Sequence, residues 1–373
     1  MSQKTELKEI GKLFFKLGSI AFGGPAAHIA MMEDEVVKKR RWMTEEQFLD
    51  FLGATNLIPG PNSTEMTMHC GYKRAGWKGL FVAGFCFIFP AVVITSVFAW
   101  LYHQYGQLPK VEPFIYGIKS AVIAIILIAA YRLGKKAVKN IELAILGFIT
   151  LVTCLLGVNK IIALFGCGLL GILFYFFKKN IVNLNNFIPF MLFQENEPLN
   201  IGILKIFLIF SKVGAVLYGS GYVLFAFLDS ELVTNGWLSR QVLIDAIAVG
   251  QITPGPVLST ATFIGWQIKG ITGAIVATIG IFLPSFIFIL ILHPLIPKLR
   301  ESKILSTFLD SINVAAVALI IAVCIEMGKD TLTDWQTISI AIASLTIVFV
   351  FKKLNSAYIV LGGAIIGYLI SLI

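Results

Sequence analysis

Apolar positions gather in long blocks along this chain, separated by short polar or charged segments. Six blocks fall at 13–32, 48–72, 77–102, 113–131, 141–157 and 160–177. Six more fall at 201–228, 242–267, 271–293, 311–328, 336–351 and 357–373. A helix crossing a bilayer needs about 20 apolar residues, so the pattern predicts a bundle of membrane-spanning helices. The stretch 180–200, NIVNLNNFIPFMLFQENEPLN, is rich in Asn, Pro and Glu and reads as a linker. It separates a first repeat, 1–179, from a second, 201–373.

The two halves match each other. FKLGSIAFGG (15–24) aligns with FSKVGAVLYGSG (210–221), and GWKGLFVAGFCFIFP (76–90) with GITGAIVATIGIFLP (270–284). Trp42 pairs with Trp237, Asp50 with Asp245, and Pro59-Gly60-Pro61 with Pro254-Gly255-Pro256. Loop charge sets their relative orientation. In the first half basic residues follow the first block (KKRR, 38–41), the second (Lys73, Arg74, Lys78) and the fourth (Arg132, Lys135, Lys136, Lys139). In the second half they follow the third block (Lys298, Arg300, Lys303), and the loop after the first, DSELVTNGWLSR, is net acidic. Equivalent loops therefore face opposite sides. The expected fold is an all-α polytopic membrane protein of two homologous, inverted-topology repeats. It has about ten spanning helices plus two re-entrant or broken segments at the PGP motifs. One feature conflicts: Lys4, Lys8 and Lys12 place a basic N-terminus outside, and Glu6 and Glu9 offset this only in part.

Composition agrees with the pattern. The chain of 373 residues is 57% apolar and 14% charged, against about a quarter charged in soluble domains. A water-soluble core cannot absorb so much apolar surface at this length. The net charge of +9 comes from loop clusters that orient membrane helices, so nucleic acid is not an expected partner. MSQKTELKEIGK lacks the short apolar core of a cleavable signal. Five cysteines lie in apolar stretches without a C-x-x-C, which argues against a disulfide framework or a zinc site. No cofactor is expected.

The candidate chemistry sits where helices should fail. NLIPGPNS (56–63) and QITPGPVLS (251–259) put two prolines round a glycine inside apolar blocks. Non-helical backbone survives at membrane depth only inside protein or beside water. A helix that restarts after such a break presents unbonded N–H groups and partial positive charge, which suits an anion. Asn62, Ser63 and Thr64 follow the first break; Ser259 and Thr260 follow the second. A further break, AFGGPAAHIA (21–30), has its partner in LYGSGYVLF (217–225). Two breaks per half could set four helix ends round one cavity.

Lys16 and Lys212 hold neighbouring positions in the two copies, each next to apolar residues, and are candidate anion contacts, with snorkelling as the rival reading. Asp50 and Asp245 precede the PGP motifs and are proton-coupling candidates, or else ion-pair or capping residues. His28, beside the first break, reads as an anion donor, a proton group or a packed histidine. TEMTMHC (64–70) resembles a soft-metal cluster, but Glu65/His69 and Met66/Cys70 point to different faces and the second copy has no ligands. No metal site is expected. EDEVVKKRR (33–41) reads as a solvated helix extension.

At FGGPAAHIAMMEDEVV and RRWMTEEQFLDFLGATNLIPGPNS the chain resembles the chromate ion transporter family in its long, two-domain form. YGSGYVLFAFLDSELV and GWLSRQVLIDAIAVGQITPGP resemble that family's second domain. The resemblance implies a multi-pass carrier of the bacterial inner membrane that expels chromate using the proton motive force. Family links to sulfate leave the oxyanion open. It carries over Phe22, Gly23, Gly24, Pro25, Pro59, Gly60, Pro61 and Asn62. In the second half it carries over Tyr218, Gly219, Ser220, Gly221, Pro254, Gly255 and Pro256. The second copy lacks a proline at Gly221 and a polar residue at Val257, so the first half is expected to hold more substrate contacts. The expected partners are a chromate- or sulfate-like oxyanion and the lipid bilayer; a homodimer is compatible with this. The rivals are a passive anion channel and a membrane-embedded enzyme. The sequence has no H-E-x-x-H, G-x-S-x-G or P-loop to favour an enzyme or an ATP-driven pump.

Overall fold

The computed structural model describes residues 3–22, 25–106, 108–109, 111–178, 202–293, 302–351 and 354–372. The linker 180–200, the glycines Gly23 and Gly24, and the basic residues Lys298 and Arg300 lie outside the described residues. Every described regular element is helical. The first half holds α1 (Gln3–Ile20), α2 (Pro25–Glu33), α3 (Glu45–Thr55), α4 (Asn62–Tyr105), α5 (Glu112–Ala137), α6 (Ile141–Leu155) and α7 (Lys160–Lys178). The second holds α8 (Ile203–Val216), α9 (Val223–Leu228), α10 (Arg240–Ile252), α11 (Thr260–Leu292), α12 (Lys303–Thr331), α13 (Trp335–Val350) and α14 (Ser356–Ile370). π-Helical turns extend α2 (Asp34–Lys39) and α9 (Asp229–Val233).

Local chemistry starts these helices where sequence rules place starts. Thr44 and Gln47 form a capping box on α3, and Asp334 and Thr337 another on α13. Asn140, Ser239, Ser302 and Asn355 each accept a backbone N–H at the head of α6, α10, α12 and α14. Five described helical stretches are long and apolar enough to cross a membrane: 62–105, 112–137, 160–177, 257–292 and 303–331. The apolar helices α6, α13 and α14 are shorter. Phe81, Phe85 and Phe89 form an outward stripe on α4, as do Ile271, Ile275 and Ile279 on α11. Apolar side chains recurring every fourth residue on an exposed face suit a lipid surround.

The block 13–32, expected as one span, is instead a helical hairpin. In a single straight helix Glu9 and Arg40 would stand about 45 Å apart. Their side chains lie 3.8 Å apart, Lys16 lies 3.9 Å from Glu35, and the Phe14 and Trp42 rings lie 6.4 Å apart. The chain turns back because α1 ends at Ile20, Ala21 and Phe22 are not helical, and Pro25 starts α2. Hydropathy counts apolar residues and is blind to this reversal. The hairpin also removes the N-terminal conflict, since the head of α1 joins the end of the bundle that holds KKRR. Glu35 accepts from both Lys39 and Arg40 there.

A second hairpin follows at the PGP motif. α3 runs inward, and the first limb of α4 returns until Ala75 and Gly76 leave helical geometry, Gly76 at φ +62°. Gly71 and Gly79 then touch backbone to backbone, and a Cβ on either would collide with the other's carbonyl. Arg74 arrives 3.4 Å from Glu9 and 5.5 Å from the Trp42 ring. The second half repeats the scheme. Lys212 meets Glu231 at 2.8 Å along its first hairpin, and α11 breaks at Lys269 and Gly270 so that Gly265 meets Gly273. Gly18 of α1 sits under the Phe87 carbonyl of α4, as Gly214 of α8 sits under the Ile281 carbonyl of α11.

The hairpins of the two halves open at opposite ends of the bundle. Those of the first half share an end with Lys139–Asp310 and the His69–His293 pair. Those of the second share an end with Lys160, Asp229, Arg240, Glu326 and Asp330, which form one ion-pair network.

Candidate functional site

The four breaks meet in the middle of the bundle, and they meet crosswise. Gly60 donates its N–H to the Leu217 carbonyl at 2.7 Å, and Gly255 donates to the Ala21 carbonyl at 2.9 Å. The PGP motif of each half is thus clasped to the other break of the opposite half. Both glycines have positive φ, +149° at Gly60 and +84° at Gly255. A side chain there would be strained as well as crowded. This is the physical reason for the P-G-P pattern: prolines stop the helix on each side, and glycine lets an amide turn toward the other half.

A cavity of about 780 Å³ lies against this crossing. Phe22, Pro25 and His28 line it from the first break, and Pro61, Asn62 and Ser63 from the first PGP motif. Gly219, Ser220, Gly221 and Tyr222 line it from the third break, and Val257 and Leu258 from the second PGP motif. It runs toward the first half's hairpin end, past Lys136 on α5 and Asn355 and Ser356 at the head of α14. The head of α4 therefore faces the cavity with Asn62, whose Nδ2 donates to Asn56 at 3.1 Å. In the lining, the second PGP helix offers the apolar side chains of Val257 and Leu258 where the first offers Asn62 and Ser63.

Other predicted residues stand back from the cavity wall. Pro59, Gly60, Tyr218, Pro254, Gly255 and Pro256 shape or clasp the breaks behind it. Ser259 is buried and takes a 3.2 Å hydrogen bond from Thr95. Lys16 and Lys212 pair with Glu35 and Glu231 along their hairpins and are not among the lining residues. His28 is only 2% exposed, with its Nε2 2.9 Å from the Ala21 carbonyl, so it braces the first break as well as lining it. Asp50 is exposed on α3. Asp245 is buried toward the opposite end, where Tyr102 donates to it at 2.7 Å and Lys119 lies 3.4 Å away. No group of three or more potential metal ligands occurs among the described residues.

Sequence reading missed the cavity's cations. Arg132 and Lys136 read as loop charges following an apolar block, yet both line the cavity from the last turns of α5. Their i, i+4 spacing puts them on one helix face and was the available signal. Arg132 is steadied by donating to the Val348 carbonyl at 3.3 Å. Asn313 of α12 adds a polar group across from them. Two guanidinium or ammonium heads, amide and hydroxyl donors, and a restarting helix suit a compact anion that accepts hydrogen bonds on all sides.

An all-helical, largely apolar chain whose duplicated broken helices enclose a basic cavity belongs to the class of multi-pass membrane transporters. The chain is a member of the chromate transporter family, whose profile matches residues 8–172 and again 204–368. It is 34% identical over 374 residues to the probable chromate transport protein of Synechococcus elongatus, covering 97% of this chain and 95% of that one. It is 32% identical over 377 residues to the chromate transport protein of Cupriavidus metallidurans, covering 97% and 92%. The chromate transport protein of Pseudomonas aeruginosa is 28% identical over 377 residues, covering 96% and 91%. No solved structure matches the chain.

Proposed function

We propose that the protein is a secondary carrier of a tetrahedral oxyanion, with chromate its first substrate and the proton motive force its energy source. The observation that carries this reading is the cavity in which breaks from both halves meet Arg132 and Lys136. The family and the names of the relatives point to chromate. Sulfate is the second reading, since it has the same charge and shape, and a site of amides, hydroxyls and cations offers little to tell them apart.

The membrane arrangement in this reading is inverted between halves. Four helical hairpins are re-entrant, two from each side, and eight described limbs cross: residues 76–105 of α4, α5, α6, α7, residues 270–292 of α11, α12, α13 and α14. Four crossings bring the end of α7 back to the first half's hairpin side, so the inverted second half requires one further crossing before α8. The described limbs are two fewer than the ten expected from hydropathy, which follows from the hairpins at blocks 13–32 and 201–228. The first half's hairpin end carries Lys38, Lys39, Arg40, Arg41, Arg74, Lys135, Lys136 and Lys139, and so faces the cytoplasm of a bacterial inner membrane. The other end carries the network of Asp229 with Lys160 and Arg240, which would close the outer side. The cavity then opens inward, ready to load an anion for export.

Purified protein in proteoliposomes tests the carrier reading. Chromate binding should be competed by sulfate and molybdate more than by a monovalent anion. Labelled anion should exchange against unlabelled anion across the membrane. Electrogenic flux that does not saturate would make the protein a channel.

A further inference from the structure

One buried acid stands outside every role described so far. Glu65, in the first turn of α4, is 0% exposed, and neither carboxyl oxygen has a hydrogen-bond partner. No described lysine or arginine forms an ion pair with it. It packs with the hydroxyl of Ser285, itself buried and unpartnered, against the face of Gly60 where a Cβ would stand. Gly60 is the residue whose amide clasps Leu217. The acid thus lies directly behind the crossing of the two halves, one helical turn from the cavity-lining Asn62 and Ser63.

An ionised carboxylate without partners in a dry interior is too costly to persist. A carboxylic acid is tolerable there. The charged form would need donors; the Ser285 hydroxyl stands with it against Gly60, whose amide now serves Leu217. Protonation and the clasp between the halves are therefore linked: the acid leaves the clasp intact, and the carboxylate competes for it.

The repeat makes the placement specific. In the helix register that pairs Gly71 with Gly265, the position of Glu65 is taken in the second half by Ser259, a buried hydroxyl that accepts from Thr95 at 3.2 Å. The position of Ser285 is taken by Ala91, whose Cβ faces Gly255. A framework built twice carries this acid once. Packing alone does not require it, because the matching crossing is made without it.

A route toward the first half's hairpin end is also present. His69 lies one turn further along the same face of α4, with Nδ1 2.8 Å from Nδ1 of His293 on the exit from α11. Its Nε2 is buried without a partner. Other titratable groups round Glu65 are accounted for. Tyr218, on the break of the second half, lies within electrostatic reach. His28 on α2 is held to Ala21, Lys16 on α1 is paired with Glu35, and Asp50 on α3 is exposed.

We propose that Glu65 is the proton-carrying group of the transport cycle, with His69 and His293 relaying its proton at one side. The carboxylic acid releases its proton to water on one side of the membrane, and the carboxylate takes one from water on the other. Only O–H bonds are made and broken. The inference rests on the carrier reading, and it moves the proton role away from Asp50 and Asp245.

Glu65→Gln keeps the shape and removes the titration. In proteoliposomes it should cut proton-gradient-driven anion accumulation about ten-fold or more, while anion-for-anion exchange stays within about two-fold of wild type. Anion-dependent proton flux, followed with a trapped pH dye, should vanish with it. Infrared difference spectra on anion addition should show a carboxylic-acid band in wild type that is absent from Glu65→Gln. Wild-type proton-driven accumulation in the variant overturns the proposal, as does an unchanged carboxylic-acid band. Loss of exchange together with accumulation in a normally folded variant makes Glu65 a structural or binding residue and also overturns it. Accumulation by wild type driven by a sodium gradient alone removes the proton as the coupling ion. If wild type itself neither exchanges nor accumulates any oxyanion, the carrier reading fails first, and this proposal falls with it.

Discussion

The amide of Gly60 donates to the carbonyl of Leu217 at 2.7 Å, across more than 150 residues of sequence, and joins the breaks of two separate repeats. Its counterpart, Gly255 to Ala21, closes the same contact from the other side. Each half therefore completes the other's broken backbone, and neither cavity wall exists in one half alone.

Gly60→Ala tests that crossing. A methyl group at φ +149° would meet Glu65 and Ser285. Strain and overpacking together should cost about 2–4 kcal/mol. Transport should be lost in whatever protein still folds. Gly76→Ala is the control: φ is +62° but nothing lies within 4 Å, so only strain of about 1–2 kcal/mol remains. Thermal unfolding in detergent and anion exchange in vesicles should separate the two; equal effects would remove the special place given to Gly60.

Arg132→Gln and Lys136→Gln should each weaken oxyanion binding, by about ten-fold for the arginine and less for the lysine. Lys16→Gln should leave affinity nearly unchanged, since Lys16 lies off the cavity. Competition binding with chromate and sulfate measures all three. An effect of Lys16→Gln as large as that of Arg132→Gln would place the site elsewhere.

Asp229 lies 2.6 Å from Lys160 and 2.8 Å from Arg240 and is 1% exposed at its side chain. Asp229→Asn removes the buried carboxylate that Lys160 and Arg240 share and leaves them Glu326 and Asp330, so the cost should fall at or below the about 3–5 kcal/mol of a fully broken buried pair. A lower melting temperature should be accompanied by faster labelling of a cysteine at Gln251 from the outer side. Slow labelling at wild-type rate would show that this network is not what closes that end.

Asp334 caps α13 and accepts the Tyr116 hydroxyl at 2.5 Å. That hydrogen bond, then the Thr337 amide, holds its carboxyl below the usual aspartate range. A carboxylate with a depressed value stabilises fully above its unfolded-state value, and the contribution fades as pH falls through the folded one. Melting temperatures of wild type and Tyr116→Phe should differ at neutral pH and converge in acid. A constant gap down to pH ~3 would exclude this linkage.

Cysteines at Arg40 and Lys303 should label from the cytoplasmic side, and one at Asn235 from the other. Arg40 and Asn235 reacting from the same side would end the inverted arrangement and return the N-terminal hairpin to a span.

Much of this was legible in the chain. Apolar blocks, loop charges and the doubled PGP motif sufficed for a helical membrane protein of two repeats, because burying apolar surface and breaking a helix depend on residues close in sequence. The breaks at Pro25 and Pro61 were readable for the same reason: proline and glycine act on their own backbone. What the tertiary structure decided were direction and company. Block 13–32 turns back rather than crossing, which the Arg40–Glu9 and Lys16–Glu35 contacts reveal and no hydropathy window registers. Arg132 and Lys136 became cavity residues, and Glu65 an unpaired acid, through Val348 and Ser285, each more than 200 residues away. Charge has its meaning from what surrounds it in space, and a membrane bundle assembles those surroundings from helices that are strangers in sequence.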